Sequence, residues 1–395
     1  MPPESPATRT MGALALVLYA TLAAAEPALQ GLARSTVGEG QGVYAVAGDG
    51  TILVAQAADH AVHPASVTKI ATSLALLARL GPTHRFETRL RGAGPLRAGR
   101  LAGDLVVEGG GDPFLVDESA LLLLRRLHTR GLRVVEGRLV VRGPLLFDWQ
   151  PDPGGRRFGA VLAGKAGGEA RALVTDLDGT SEGLRETALV FLGRRSKSGP
   201  GRALAALHSP PLLHVVKALN CYSNNVFHFA ADAVGGAAAV QENARAHVPE
   251  AMRDEIVIDN GAGAGETNRM SPRAAVALLG ALMDELARHG NDLTAALPVS
   301  GIDHGTLEDR VTERPGIVVG KTGTFGSVGA SALAGALRTR RFGVVRFAVL
   351  HHGVPVPDAR ARQDAFVRAL IAVTDAEPWP YSAATRPVYS EATAD

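Results

Sequence analysis

Alternating apolar and polar positions predict strands near both ends of this chain. Residues 42–47 and 51–57 alternate and run apolar, and Gly48-Asp49-Gly50 between them indicates a hairpin turn. Three more apolar runs follow one another late in the chain, at residues 317–321, 331–337 and 344–350. The pattern therefore predicts a hairpin early in the chain and three successive strands late in it.

A helical period separates these two groups of strands. Ile70, Leu74 and Leu77 fall on one helical face, and the alanines between them make the rest of the segment unusually apolar. Pro64 suits a helix entry, and Gly81-Pro82 ends the pattern. The sequence therefore predicts a central, buried helix over residues 66–80.

The sequence pattern changes after about residue 86, where short strand-like runs alternate with Gly, Pro and Asp turns. One helical run interrupts them, at residues 119–128, and the stretch 149–195 has poor helical periodicity. The strand-like runs are Leu105 to Glu108, Arg138 to Val141 and Leu173 to Asp176. This pattern predicts a separate, strand-rich inserted domain.

Helical texture returns at residues 211–234, and two further helices are predicted after it. The first runs from a Ser271 cap to His289, and the second closes the fold at residues 358–373. Residues 377–395 read as a loose tail. The predicted organisation is a catalytic domain at 26–92 and 206–373, an insert at 93–205 and a tail at 374–395.

The first 25 residues resemble an export signal. Arg9 precedes an apolar run from Met11 to Ala25, which is too short to span a bilayer and ends in small residues typical of a cleavage site. We therefore expect a signal peptide at 1–25, an exported periplasmic or extracytoplasmic protein, and no transmembrane helix in the mature chain. An uncleaved membrane anchor is the alternative.

Composition gives no support to several classes of function. The net charge is +2 and no basic run is interleaved with aromatic residues, which gives no support to a nucleic-acid partner. The 12 histidines are scattered and the one cysteine, Cys221, has no partner, so no metal site is predicted. The glycines of 109–111 lack the Lys-Ser/Thr of a phosphate loop. No cofactor is expected.

Lysine usage gives the first indication of chemistry. Only five of the 41 basic residues are lysines, and Lys69 and Lys321 both occur in motifs. Lys69 closes Ser66-Val67-Thr68-Lys69, so a serine lies one helical turn before it. Arginine cannot deprotonate in a protein, whereas a buried lysine can. The pair therefore indicates a nucleophile, Ser66, served by a base, Lys69.

Two further motifs follow in a characteristic order. Ser223-Asn224-Asn225 comes next, and Lys321-Thr322-Gly323-Thr324 ends an apolar run. Ser-x-x-Lys, Ser-x-Asn and Lys-Thr-Gly in this order resemble the signature of penicillin-binding proteins and serine β-lactamases. The resemblance implies the serine β-lactamase/DD-peptidase (transpeptidase) fold, an α/β fold with an antiparallel sheet and helices on both faces.

The chain is similar to one subgroup in particular. Residues 103–113, which contain Gly-Asp-Leu and Gly-Gly-Gly-Asp-Pro, resemble the low-molecular-mass penicillin-binding D-alanyl-D-alanine carboxypeptidase/endopeptidases that carry a large insert. Residues 297–310 and the long interval between the first two motifs also fit that subgroup. Two features depart from it. The insert is shorter than usual, and Ala262 stands where the family has serine.

The resemblance and the chemistry together assign roles to the motif residues. Ser66 would attack a peptide carbonyl and Lys69 would take its proton, with Ser223 relaying it and Asn225 holding Lys69. The backbone N–H groups of Ser66 and Thr324 would form the oxyanion hole. Lys321 and the Thr322 hydroxyl would bind the substrate carboxylate, and Gly323 would let the substrate approach the strand.

These roles predict a serine D-Ala-D-Ala carboxypeptidase/endopeptidase acting on peptidoglycan stem peptides and acylated by β-lactam antibiotics. One alternative is a β-lactamase or esterase of the same fold, because Tyr222-Ser223-Asn224 also reads as a Tyr-x-Asn motif. The long insert argues against it. The other is a catalytically silent cell-wall binding protein, against which the intact Ser66, Lys69 and Lys321 argue.

Overall fold

Strands and helices form two compact units in the computed structural model, which describes residues 27–178, 188–194, 201–384 and 388–393. The predicted signal peptide at 1–25 lies outside the described residues. The first unit comprises the described parts of residues 1–78, 217–228 and 237–383. The second comprises the described parts of residues 79–216, 229–236 and 384–395. The predicted domain limits at 93 and 205 stay a prediction.

The first unit is built on a six-stranded sheet in which every pairing is antiparallel. Five strands follow one another across the sheet in the order Val319–Phe325, Ala330–Thr339, Val344–His351, Gly42–Val46 and Ile52–Gln56. The sixth, Ala376–Glu377, pairs with Ala330–Thr339. The predicted hairpin and the antiparallel sheet are confirmed.

Helices cover both faces of this sheet, as the predicted fold requires. Successive side chains of a strand point to opposite faces. In Val344–His351, Phe347 and its alternate neighbours are buried in one cluster with Phe366 of the closing helix, Val356–Thr374. Arg346 points the other way, against Gly280 of the helix Pro272–Ala287. The α/β transpeptidase fold is therefore confirmed.

The helix that follows the hairpin is buried, as its apolar pattern predicts. It begins with a 3-10 turn, Ala65–Thr68, and continues as the α-helix Lys69–Leu80. Ile70, Leu74 and Leu77 are at most 1% exposed. The predicted Ser271 cap is also confirmed, because its Oγ accepts a hydrogen bond from the N–H of Ala274 at 3.1 Å.

The strand that carries the third motif is longer than predicted. The sequence places its end at Lys321, but the strand Val319–Phe325 contains the whole motif. Gly323 pairs with Ala332 in regular register. Glycine lowers strand propensity, so the pattern understated the strand. Strand pairing therefore fixes the backbone of the motif along its full length.

The second unit is rich in strands but also contains helices. Its larger sheet has the order Glu391–Thr393, Arg202–His208, Glu87–Gly92, Leu105–Glu108 and Leu139–Arg142. A smaller sheet has the order Val190–Phe191, Val134–Val135, Arg100–Leu101 and Leu96–Arg97, and a hairpin joins Leu146–Phe147 to Gln150–Pro151. The described helices of this unit include Asp117–Thr129, Arg156–Leu162 and Gly168–Asp178.

Two predictions, for residues 173–176 and for the C-terminal tail, are wrong. Residues 173–176 form part of the helix Gly168–Asp178 rather than a strand, since Ala170 and Val174 are buried at i, i+4 spacing. The last residues are not a loose tail throughout. Ala376–Glu377 and Glu391–Thr393 each pair with a strand. Among the described residues, no helix combines the length and the apolar character needed to cross a membrane.

Candidate active site

A strained turn holds Ser66 in front of the central helix. Ala65 has a φ of 48°, a left-handed conformation that is unfavourable for a residue with a Cβ. Hydrogen bonds on both sides of it hold the turn. The Ala65 N–H donates to His63 Nδ1 at 3.1 Å, and the Thr68 hydroxyl donates to the Ala65 carbonyl at 2.9 Å. These two hydrogen bonds thus hold Ala65 in its unfavourable conformation.

Lys69 lies against the Ser66 hydroxyl in a fully buried position. Its Nζ is 2.7 Å from Ser66 Oγ, 3.2 Å from Asn225 Oδ1 and 2.6 Å from the Ala262 carbonyl oxygen. Among the described residues no carboxylate pairs with it. Burial, helped by the charge of Lys321, lowers the pKa of Lys69 to about 6. At neutral pH its amine is therefore mostly uncharged and able to accept a proton.

A loop that the sequence did not assign a role supplies one of these contacts. Asn260 Oδ1 accepts from the N–H of Ala262 at 2.9 Å and shapes the loop. Gly263 has a φ of 75°, and a Cβ there would overlap the Ala65 carbonyl. Ala262 replaces the family serine, yet it reaches Lys69 through its backbone oxygen. The Asn-Gly-Ala-Gly pattern was visible in the sequence, but its contact with Lys69 was not.

The second motif lies in a loop, so the helical pattern predicted for residues 211–234 is wrong at this point. It follows the helix Leu212–Cys221, and Ser223 has a φ of 53°. Ser223 Oγ accepts a hydrogen bond from Lys321 Nζ at 3.0 Å, while Asn225 accepts one from Lys69. Tyr222 is 66% exposed. The side chains that contact the two lysines are therefore those of Ser223 and Asn225, which fits a Ser-x-Asn motif at 223–225 and not a Tyr-x-Asn motif at 222–224.

A polar cluster holds the segment before this loop. Lys217 Nζ pairs with Asp303 Oδ2 at 2.5 Å, and Tyr381 donates to Asp303 Oδ1 at 2.7 Å. Farther along, the N–H of Thr306 donates to the carbonyl of Cys221 at 2.9 Å. Lys217 thus has an acidic partner, whereas the described residues provide none for the two motif lysines.

Lys321 is as buried as Lys69. It is 0% exposed, and its Nζ donates to Ser223 Oγ and to the Thr322 carbonyl, the latter at 2.9 Å. Burial lowers the pKa of Lys321 to about 7. Next to it, the hydroxyl of the exposed Thr324 accepts from Nη2 of Arg360 at 3.0 Å. Sequence reasoning missed Arg360, which lies on the distant closing helix and belongs to no motif.

Gly323 lets the third motif approach the nucleophile turn. A Cβ on Gly323 would lie 2.7 Å from the Pro64 carbonyl and 3.0 Å from the Ser66 nitrogen. Real Cβ atoms do not come that close to backbone atoms. Glycine is therefore required at position 323 because the strand packs closely against the turn that carries Ser66. The structure brings Ser66, Lys69 and Asn225 into one hydrogen-bonded group. Ser223 and Lys321 form a second hydrogen-bonded pair with 322–324 beside it, and the charge of Lys321 acts on Lys69.

Comparisons with known proteins agree with this arrangement. A relative in Haemophilus influenzae, the D-alanyl-D-alanine carboxypeptidase DacB, is 35% identical over 77 residues. That match spans 20% of this chain and only 16% of the relative.

Solved structures match over much more of the chain. The Bd0816 predatory endopeptidase from Bdellovibrio bacteriovorus, in complex with an immunity protein, has a TM-score of 0.71 at 21% identity, covering 89% of this chain and 99% of that one. The penicillin G-acylated Bd3459 endopeptidase of the same organism has a TM-score of 0.68 at 20% identity, covering 88% and 96%. At these identities the structures show a common fold.

The family model gives the most extensive sequence match. It describes the D-Ala-D-Ala carboxypeptidase 3 (S13) family and matches residues 28–150 and 180–373, well over half of the chain. The chain therefore belongs to the D-Ala-D-Ala carboxypeptidase 3 (S13) family of peptidases.

Proposed function

We propose that this protein is a penicillin-binding serine D-Ala-D-Ala carboxypeptidase/endopeptidase that hydrolyses peptidoglycan stem peptides through an acyl-enzyme on Ser66. The observation that carries the proposal is the buried amine of Lys69, 2.7 Å from Ser66 Oγ, with a pKa lowered to about 6. A hydroxyl beside an uncharged amine is an activated nucleophile.

Acylation starts with attack of Ser66 Oγ on the carbonyl carbon of the D-Ala-D-Ala bond. The hydroxyl proton moves to Lys69 Nζ as the new ester bond forms. The negative charge on the carbonyl oxygen is stabilised by the N–H groups of Ser66 and Thr324. The close packing of Gly323 on the Ser66 nitrogen supports this role, since it keeps the two N–H groups near one another.

The proton must then reach the leaving amine. Ser223 Oγ already accepts from Lys321, so its own hydrogen is available to donate to the amine nitrogen of the departing D-alanine. Ser223 is replenished with the proton that Lys69 took from Ser66. Asn225 and the Ala262 carbonyl hold Lys69 in place during the transfer. Water then cleaves the ester, and its proton returns to Ser66 along the same groups.

Lys321, Thr322 and Thr324 bind the terminal carboxylate of the substrate in this proposal. A carboxylate beside Lys321 favours the ammonium form and raises the pKa of that lysine from about 7. Arg360 adds a second cation at Thr324. β-Lactams carry a carboxylate in a comparable position, and the penicillin G-acylated relative supports the proposal that they acylate Ser66.

Export is part of the proposal, because peptidoglycan lies outside the cytoplasmic membrane. The support is the apolar run from Met11 to Ala25 and the small residues that end it. Sequencing the N-terminus of protein recovered from the cell envelope tests this step. We expect a mature chain that begins near Glu26, whereas an intact Met1 in all of the recovered protein would contradict it.

Digestion of purified peptidoglycan fragments tests the reaction itself. We expect the wild-type protein to release D-alanine from pentapeptide stems or to cut D-Ala cross-links, as identified by mass spectrometry. The Ser66→Ala variant should leave both substrates intact. A wild-type protein that cuts neither bond would favour the catalytically silent alternative.

A further inference from the structure

A cavity beside the helix Pro272–Ala287 is not used by this chemistry. It has a volume of about 370 Å³ and lies within the first unit, between that helix and the strands Gly42–Val46 and Val344–His351. The volume falls within the range of small-molecule sites. Its apolar wall includes Val46, Met252 and Val276.

One cation on the cavity wall has no partner in the part of the chain that the structure describes. Within the described residues Arg346 makes no hydrogen bond and no ion pair, and its Nε is buried. Its guanidinium lies against Gly280, where a Cβ would overlap Nη1. Glycine at that position therefore lets the guanidinium approach the helix backbone closely. A guanidinium with free N–H groups is suited to a carboxylate, which it can bind through two parallel hydrogen bonds.

The other charged or titratable groups around the cavity have partners or are exposed to solvent, whereas Arg346 is half-buried and its Nε has no partner among the described residues. Arg273 pairs with Glu255, and Arg288 pairs with Glu285. His247 Nδ1 lies 2.8 Å from the carbonyl of Asn243. The carboxylate of Asp284 also lines the cavity, but this residue is exposed to solvent. Arg346 is thus the group whose hydrogen-bonding capacity the described structure leaves unused.

We propose that this cavity binds a small monocarboxylate with a short apolar body, whose carboxylate pairs with Arg346. The apolar wall accounts for the body of the ligand and the guanidinium for its charged end. The site is distinct from Ser66 and does not depend on the proposed peptidase activity.

Isothermal titration calorimetry with sodium hexanoate tests the proposal, with hexanol and hexylamine as matched probes that lack the carboxylate. We expect hexanoate to bind the full-length protein and the two other probes not to bind. Arg346→Gln should weaken hexanoate binding by at least about tenfold, because it removes a charge-assisted contact. The matched control is Arg341→Gln, which alters an exposed arginine between two strands of the same sheet and should leave binding unchanged.

A second variant tests the sign of the charge. Asp284→Asn removes a negative charge that lines the cavity, so it should strengthen hexanoate binding. Labelling by fluorescent penicillin should be the same in all three variants, which shows that each is folded. Equal binding of hexanoate and hexanol, unchanged binding by Arg346→Gln, weaker binding by Asp284→Asn, or no binding at millimolar hexanoate would each overturn the proposal.

Discussion

The protonation state of Lys69 should set the acid limit of acylation. With a pKa of about 6, the amine is about 90% neutral at pH 7 and about 10% neutral at pH 5, because the ratio changes tenfold per pH unit. The base is the neutral form, so activity is present above this pKa and is lost as the pH falls through it. We expect the acylation rate with penicillin to fall about tenfold between pH 7 and pH 5 and to be nearly level from pH 7 to pH 8.

An unperturbed lysine would behave very differently. At its ordinary pKa of 10.5 only about 0.03% of the amine is neutral at pH 7, and the rate would rise tenfold per pH unit up to pH 9. Stopped-flow measurement of acylation with a fluorescent penicillin between pH 5 and pH 9 separates the two profiles. A continuous rise to pH 9, or a profile with no acid limb, would refute the assignment of Lys69 as a base with a lowered pKa.

A variant of Lys321 tests the physical cause of the shift. Burial is the main cause and the charge of Lys321 is the second. Lys321→Gln removes that charge, so the pKa of Lys69 should rise and the acid limb should move to higher pH. It should stay well below 10.5, since burial remains. The maximal acylation rate will also fall because a contact with the penicillin carboxylate is lost. The readout is therefore the pH at which the rate is half of its maximum. A limb that moves to lower pH would contradict the account.

Three further variants have definite expected outcomes. Lys69→Arg keeps the charge but cannot lose its proton, so its acylation rate should be as low as that of Lys69→Ala, at least ~100-fold below wild type. Near-normal acylation would mean that Lys69 is only a fixed charge. Gly323→Ala should lower the free energy of unfolding by on the order of 1–3 kcal/mol in a denaturant titration and slow acylation, whereas Gly326→Ala, which has open space, should do neither. Tyr222→Phe should acylate almost normally with a penicilloyl-enzyme that persists for minutes; rapid penicillin turnover that Tyr222→Phe abolishes would favour the β-lactamase alternative.

Much of the fold could be predicted because its signals are local. The helix Lys69–Leu80 is indicated by apolar residues at helical spacing. The helix Pro272–Ala287 is indicated by the cap residue Ser271 and by Pro272 at its first position. The helix Gly168–Asp178 was misread because its apolar positions are few and glycines surround it. The strand Glu391–Thr393 pairs with Arg202–His208, about 185 residues earlier in the chain, and no local pattern reports such a partner.

The active site divides in the same way. The motif residues Ser66, Lys69 and Lys321 could be named because each motif is a short run of unusual residue types. Ala262 could not, because it acts through a backbone oxygen, and any residue type carries one. Arg360 could not, because its closeness to the third motif arises only from tertiary packing.

The loop conformation of the second motif also escaped sequence reasoning. Apolar residues continue on both sides of it and suggest one uninterrupted helix, whereas Ser223 adopts a left-handed backbone between two helices. The tertiary hydrogen bond from Lys321 to Ser223 favours the loop over helical propensity at this point. The sequence thus identified the residues but not the backbone that presents them.

The central claim is that Ser66 becomes acylated, and intact-mass spectrometry after incubation with benzylpenicillin tests it most directly. The account predicts that the wild-type protein gains one penicilloyl group, that peptide mapping places it on Ser66, and that Ser66→Ala gains none while remaining folded. An adduct on another residue, or undiminished labelling of Ser66→Ala, would contradict the account.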